Sequence, residues 1–178
     1  MNYRNYLNQE NPAVTMVIKD FGTIQLELFY DAAPNTVSNF ISLVESKYYD
    51  GLNFHRIIPG FMVQGGGGKK HTCTIKGEFK INGYQNQLEH TRGVISMART
   101  SDPNSQTSQF FIMHADSPHL DGSYAAFGGV THGIEVVDKM ANVSRDHGDA
   151  PKEPVIIESV TVDKHGKSYP APICYSAK

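Results

Sequence analysis

The sequence predicts a mainly β fold, a barrel or sandwich of short strands whose ends are covered by two helices. Three observations indicate this class. The chain has 178 residues, a usual length for one domain. Many short apolar runs are separated by clusters of Gly, Pro, Asn and Asp, as in proteins with many strands and turns. Only two stretches, far apart in the chain, have the spacing of an amphipathic helix.

The amino-terminal part predicts a β-hairpin followed by a helix. Apolar residues alternate over 14–18 and again over 24–28, with a turn at 20–22 between them. The spacing then becomes i, i+3, i+4 and i+7, with apolar side chains at Val37, Phe40, Ile41 and Val44. Pro34 suits a first helical turn, where its missing N–H costs nothing. We therefore expect a helix from Pro34 to Ser46.

The remaining predicted elements are shorter. Five apolar segments predict further strands: Asn53–Ile58, Phe61–Gln64, Gly93–Ala98, Gln109–Met113 and Ala125–Val130. A second helix is predicted over Ile134–Ala141 and a β-branched final strand over Val155–Asp163. The predicted domain spans residues 13–164, between a polar arm at 1–12 and a tail at 165–178.

Composition excludes several classes of protein. The net charge of −2 gives no general attraction to nucleic acid or to anionic lipid. No apolar run approaches the roughly 18 residues of a membrane span, and the polar first residues lack the apolar core of a signal peptide. Cys73 and Cys174 lie far apart and are interpreted as reduced thiols. These features predict a cytoplasmic protein.

Known motifs for covalent or metal catalysis do not occur. The sequence has neither G-x-S-x-G nor H-E-x-x-H. The glycine-rich run Gly65–Lys70 fails the phosphate-loop pattern, because Val63 and Lys70 stand where Gly and Ser or Thr are required. No metal or cofactor is therefore predicted.

One long segment carries most of the functional information. Residues Phe54–Gly66 read FHRIIPGFMVQGG, and ordered segments follow at Gly93–Ala98, Ser108–Ile112 and Leu120–Gly122. Together they resemble the cyclophilin family of peptidyl-prolyl cis-trans isomerases over about residues 14–163. The run Ser96–Thr100 is similar to the family's bacterial branch.

The resemblance implies a closed eight-stranded antiparallel β-barrel capped by two α-helices. The substrate groove would lie outside the barrel, because side chains fill the interior. The implied activity is rotation about X-Pro peptide bonds, without metal or cofactor, in a monomer that assists protein folding. The implied partners are proline-containing peptides and unfolded or loop segments of proteins.

The resemblance also implies site residues. Arg56 matches the family's catalytic arginine, whose fixed N–H donors can stabilise the prolyl nitrogen once the amide twists. The implied substrate-binding residues are His55, Phe61, Met62, Gln64, Ala98, Arg99, Gln109, Phe111, His119, Leu120 and Tyr124. Taken alone, the residues allow other interpretations: a lone Arg often covers apolar surface, and Phe or Met is usually core. In a strand with strict alternation, Phe61 would lie on the face opposite to Met62 and Gln64. We therefore expect a local irregularity at Pro59-Gly60 that brings all three to one face.

Two departures from the family pattern affect function. His119 stands where many eukaryotic members have Trp, which predicts weak binding of cyclosporin. Tyr124 stands where many have His, and it retains an aromatic wall. The alternative hypothesis is a proline-binding scaffold whose catalysis is incidental. Arg56 favours the enzyme, because a pure binder needs no donor for a transition state.

Overall fold

Each predicted strand and helix is present, and most ends shift by one or two residues, but the strand predicted over Asn53–Ile58 is shortened to Arg56–Ile58. The computed structural model describes residues 1–176. The strands are β1 (Ala13–Ile18), β2 (Gly22–Leu28), β3 (Arg56–Ile58), β4 (Met62–Gly65), β5 (Val94–Met97), β6 (Phe110–Met113), β7 (Ala126–His132) and β8 (Ile157–Asp163). The α-helices are α1 (Pro34–Glu45) and α2 (Ile134–Ala141). No helix in this part of the chain has the length and hydrophobicity needed to span a membrane.

All eight strands form one antiparallel sheet in the order β3-β4-β6-β5-β7-β2-β1-β8. Within residues 1–176 no ladder joins the two edge strands, so the implied closed barrel is wrong in this respect. The sheet is an open, curled half-barrel. The edges meet through an isolated bridge between Asn53 and Ile156 and a bond from Phe54 N to Val155 O (2.9 Å). The reason is that β3 begins only at Arg56, after the residues that face β8.

The inner face of the sheet is filled by apolar side chains. One row of paired residues crosses four strands and is fully buried: Ile57, Val63, Ile112 and Ile95. Helix α1 contributes Phe40, whose ring centroid lies 5.2 Å from that of Tyr49 and 5.2 Å from that of Phe127. With this interior packed, a binding site of any size has to lie outside the sheet's inner face.

Part of the outer face is also covered, which explains why every residue of β5 and β6 is buried. A second apolar cluster there includes Met62, Phe111, Leu120 and Tyr3. Tyr3 comes from the amino-terminal arm and donates a hydrogen bond to Val130 O (3.1 Å). The arm therefore packs on the sheet beside the region that carries the predicted site.

Helix α1 receives its amino-terminal cap from a distant loop. Its own N-cap residue, Ala33, has no side chain that can accept a hydrogen bond. The buried carboxylate of Glu78 accepts instead from Thr36 N (2.6 Å), Thr36 Oγ1 (2.7 Å) and Asn35 N (3.2 Å). A negative charge at this end of a helix is favourable, and the contacts also fix the loop that carries Glu78.

Cys73 and Cys174 form a disulfide bond, so the expectation of two reduced thiols is wrong. Their sequence separation is 101 residues, and nothing in the spacing pairs them. The tail is held beside the first turn of helix α1, where Ile173 N donates to Asn35 Oδ1 (2.8 Å) and Asn35 Nδ2 donates to Ile173 O (3.0 Å). The disulfide thus fastens the tail to the loop between β4 and Glu78.

Candidate active site

A row of side chains crosses four strands on the outer face of the sheet. Arg56 on β3 pairs with Gln64 on β4, and Gln64 pairs with Phe111 on β6. Phe111 pairs in turn with Ser96 on β5. Successive side chains of a strand point to opposite faces of the sheet. The neighbouring row of Ile57, Val63, Ile112 and Ile95 points inward, so this row points outward.

A tight turn brings Phe61 to the same face. Gly60 has φ of 77°, a conformation that glycine adopts without strain, and Phe61 N donates to Ile58 O (3.0 Å). Phe61 therefore lies in the turn before β4, and the alternation of side chains along β4 does not determine its direction. The irregularity expected at Pro59-Gly60 is confirmed.

These elements surround a cavity of about 140 Å³. Its walls are formed by most of the predicted site residues: Arg56, Phe61, Met62, Gln64, Ala98, Arg99, Phe111, Leu120 and Tyr124. A larger groove of about 670 Å³ lies elsewhere, lined by 19–21 and 152–156, and holds none of them. The smaller cavity is therefore the candidate site, because apolar walls and a charged donor converge there.

The guanidinium of Arg56 is exposed at the edge of this cavity. Among the described residues it makes one hydrogen bond, a long one of 3.5 Å from Nη1 to Gln64 Oε1. Gln64 Nε2 donates to Gln109 Oε1 (3.1 Å), which links Gln109 to the site although it does not line the cavity. Most N–H donors of Arg56 are thus available to a ligand.

Two further predicted residues lie beside the cavity without lining it. His119 stacks on Phe61 with 5.9 Å between ring centroids. His55 precedes Arg56 and is half-buried, and burial together with the Arg56 charge lowers the pKa of its imidazole. His55 is therefore neutral near neutral pH and adds no second positive charge.

Arg99 lines the cavity, but its donors are already engaged. Nε and Nη2 both donate to Ser123 O (2.9 and 2.7 Å), and Nη1 donates to Thr100 O (2.9 Å). Its guanidinium carbon lies 5.0 Å from the ring centroid of Phe79 and 4.7 Å from that of Tyr124. Arg99 therefore shapes the cavity wall, whereas Arg56 presents free donors.

Sequence reasoning missed two residues behind this wall. Phe79 supports Arg99 from a loop, and His90 stacks on Phe111 from another. Neither belongs to a periodic segment or a motif, so no pattern could have indicated them.

The comparisons with known proteins decide the family. The family model described as "Cyclophilin type peptidyl-prolyl cis-trans isomerase/CLD" matches residues 13–162, most of the chain. The chain belongs to the cyclophilin-type peptidyl-prolyl cis-trans isomerases. The predicted resemblance and the predicted enzyme class are confirmed.

Curated and solved cyclophilins agree with this assignment. The chain is 44% identical over 158 residues to the peptidyl-prolyl cis-trans isomerase of Acinetobacter baylyi, covering 80% of this chain and 81% of that protein. It is also 44% identical to isomerase B of Escherichia coli, covering 80% and 95%. A cyclophilin structure from Cryptosporidium parvum superposes with a TM-score of 0.76 at 30% identity, covering 86% of this chain and 97% of that one.

Proposed function

We propose that this cyclophilin rotates X-Pro bonds in peptides and in unfolded or loop segments of proteins, with Arg56 as the catalytic residue. The observation that carries the proposal is the position of the Arg56 guanidinium. Among the described residues its donors have one partner, Gln64, and it stands at the edge of a cavity whose walls include the apolar side chains of Met62 and Phe111. A proline ring in that cavity would bring its nitrogen close to the guanidinium.

The chemistry needs a donor more than it needs a nucleophile. The uncatalysed barrier of ~20 kcal/mol arises from the partial double bond of the amide. As the bond twists, conjugation is lost and the prolyl nitrogen regains a lone pair. A donor that meets this lone pair stabilises the twisted amide more than the planar one, which is the condition for catalysis. Arg56 is suited to the role because its guanidinium stays charged and offers several rigid donors.

The other side chains would hold the substrate. The proline ring would pack against the apolar side chains in the cavity wall, Phe61, Met62, Phe111 and Leu120. With the ring held there, the twist is limited to the peptide bond. The linked amides of Gln64 and Gln109 are placed to hydrogen-bond the peptide backbone. A Cryptosporidium parvum cyclophilin was crystallised in the presence of the dipeptide Ala-Pro, which supports proline peptides as ligands here.

The proposed activity is tested by exchange NMR on a short Ala-Pro peptide. We expect the wild-type protein to increase the cis–trans exchange rate well above its uncatalysed value of one event in tens to hundreds of seconds. The same spectra report binding through the shifts of the peptide. Binding without faster exchange would reject the enzyme and favour a proline-binding scaffold.

Cyclosporin should inhibit this protein weakly. His119 offers a smaller apolar face than the Trp of many eukaryotic members, and its ring already stacks on Phe61. Replacing His119→Trp should lower the cyclosporin concentration needed for half inhibition by about tenfold or more, because aromatic area is regained. Peptide isomerisation by the variant serves as the control and should stay near the wild-type rate. Inhibition of the wild-type protein at low nanomolar cyclosporin would contradict this prediction.

We expect the protein to act as a monomer. Few large hydrophobic side chains are exposed within residues 1–176, and large apolar patches are typical of protein–protein interfaces. The exposed ones are Met1, Leu7, Ile81 and Ile173.

The cellular location of the protein is a separate question, and the cytoplasmic location predicted from the sequence stays a prediction. The Cys73–Cys174 disulfide argues against it, because disulfides are rare in reducing compartments.

A further inference from the structure

A buried histidine lies directly behind the candidate site. The side chain of His90 has no exposed surface, and both ring nitrogens have partners. Nδ1 lies 3.0 Å from Asp121 Oδ1, and Nε2 lies 2.8 Å from Ser96 Oγ. The order Asp–His–Ser is that of a hydrolase triad, but Ser96 is fully buried and no substrate can reach its hydroxyl. The three residues must therefore serve another purpose.

The hydrogen bonds fix the ring in one tautomer. Asp121 Oδ1 also accepts from His90 N (2.6 Å), so the carboxylate is held in place by the backbone of the same residue. With Asp121 as acceptor, Nδ1 carries the proton and Nε2 accepts from the hydroxyl of Ser96. Burial lowers the pKa of His90, although Asp121 acts in the opposite direction, and this keeps the imidazole neutral.

The fixed ring supports the walls of the cavity. His90 stacks on Phe111 with 6.1 Å between centroids and 20° between planes. Tyr124 meets the edge of both rings, at 6.5 Å from His90 and 5.7 Å from Phe111. Phe111 and Tyr124 both line the cavity.

The same residue holds the segment that carries Leu120. Asp121 is bound by His90 through two hydrogen bonds, and Ser117 N donates to His90 O (2.9 Å). The turn between these two residues contains His119 and Leu120. The imidazole of His90 thus contacts β5 through Ser96, β6 through Phe111 and the end of this turn through Asp121.

We propose that His90, held by Asp121 and Ser96, is a positioning residue for isomerisation. It keeps the aromatic and Leu120 walls of the cavity at a fixed distance from Arg56 on the opposite side. The proposal rests on the proposed function, in which the proline ring binds in this cavity. Its effect is geometric, because a displacement of about 1 Å at a reacting group can reduce a rate by about 10²-fold.

The test is the variant His90→Phe, which keeps a flat ring for stacking and removes both side-chain hydrogen bonds. We expect the exchange rate of the bound Ala-Pro peptide to fall by about tenfold or more, with a smaller change in affinity. His90→Gln should restore part of the rate, because its amide can accept from Ser96. The control His132→Phe changes an exposed histidine outside the site and should leave the rate unchanged.

A merely structural role would give a different result. In that case His90→Phe would lower the midpoint of unfolding, while the folded fraction would keep the wild-type exchange rate, and the proposal would be overturned. If His90→Phe does not fold, Ser96→Ala removes one hydrogen bond with a small change in volume and should show a smaller rate loss; a wild-type rate would reject the proposal. If the wild-type protein itself does not accelerate exchange, the proposed function fails first.

Discussion

Replacing Arg56→Ala should lower kcat/KM for an Ala-Pro peptide by about 10²–10³-fold, the usual effect of removing one donor aimed at a transition state. The guanidinium is exposed and makes only one long hydrogen bond among the described residues, so its removal should hardly affect stability. The loss should therefore appear in the rate on the enzyme, measured by exchange NMR, more than in the affinity for the peptide.

Two further variants separate charge from geometry. Arg56→Lys keeps the positive charge but loses the planar set of donors, so its rate should lie between those of wild type and Arg56→Ala. Arg4→Ala removes an exposed arginine from the amino-terminal arm, outside the cavity, and should have no effect. A fully active Arg56→Ala variant would show that another group stabilises the twisted amide.

Reducing the Cys73–Cys174 disulfide should lower the free energy of unfolding by about 2–5 kcal/mol. The bond joins residues separated by 101 positions, so in the chain-entropy account it strongly restricts the unfolded chain. Urea denaturation of the oxidised protein, followed with and without dithiothreitol, measures the difference.

The matched control is the double variant Cys73→Ser with Cys174→Ser. It should match the reduced wild-type protein in stability and should not respond to dithiothreitol. A thiol titration of the denatured, unreduced wild-type protein should find no free cysteine. Equal stability of the oxidised and reduced proteins would contradict the prediction, as would two titratable thiols.

The local elements could be predicted because each is encoded by neighbouring residues. The alternation over 14–18 and 24–28 predicts β1 and β2, and the spacing of Ile134, Val137 and Met140 predicts α2, in which Val137 and Met140 are buried. Arg56 and the apolar cavity residues could be predicted for a different reason. They lie in a long segment that resembles a known family, and periodicity alone would have left Arg56 a surface residue.

The features that could not be predicted depend on distant parts of the chain. The open edge of the sheet is decided by how β3 meets β8, and the disulfide by where the tail runs. His90 acquires its role only when folding places Ser96, Asp121 and Phe111 around it. A single histidine in a loop belongs to no periodic pattern, so its hydrogen-bond and stacking partners could not be predicted from the sequence.

The cap on helix α1 has a consequence for biosynthesis. Glu78 lies 42 residues beyond Thr36 in the chain, and its carboxylate accepts a hydrogen bond from Thr36 N. The first turn of α1 therefore stays uncapped on the ribosome until that loop has been synthesised and has left the exit tunnel. Short helices are marginal in water without tertiary contacts. We therefore expect the helix to reach its full stability only when the Glu78 loop docks against its first turn.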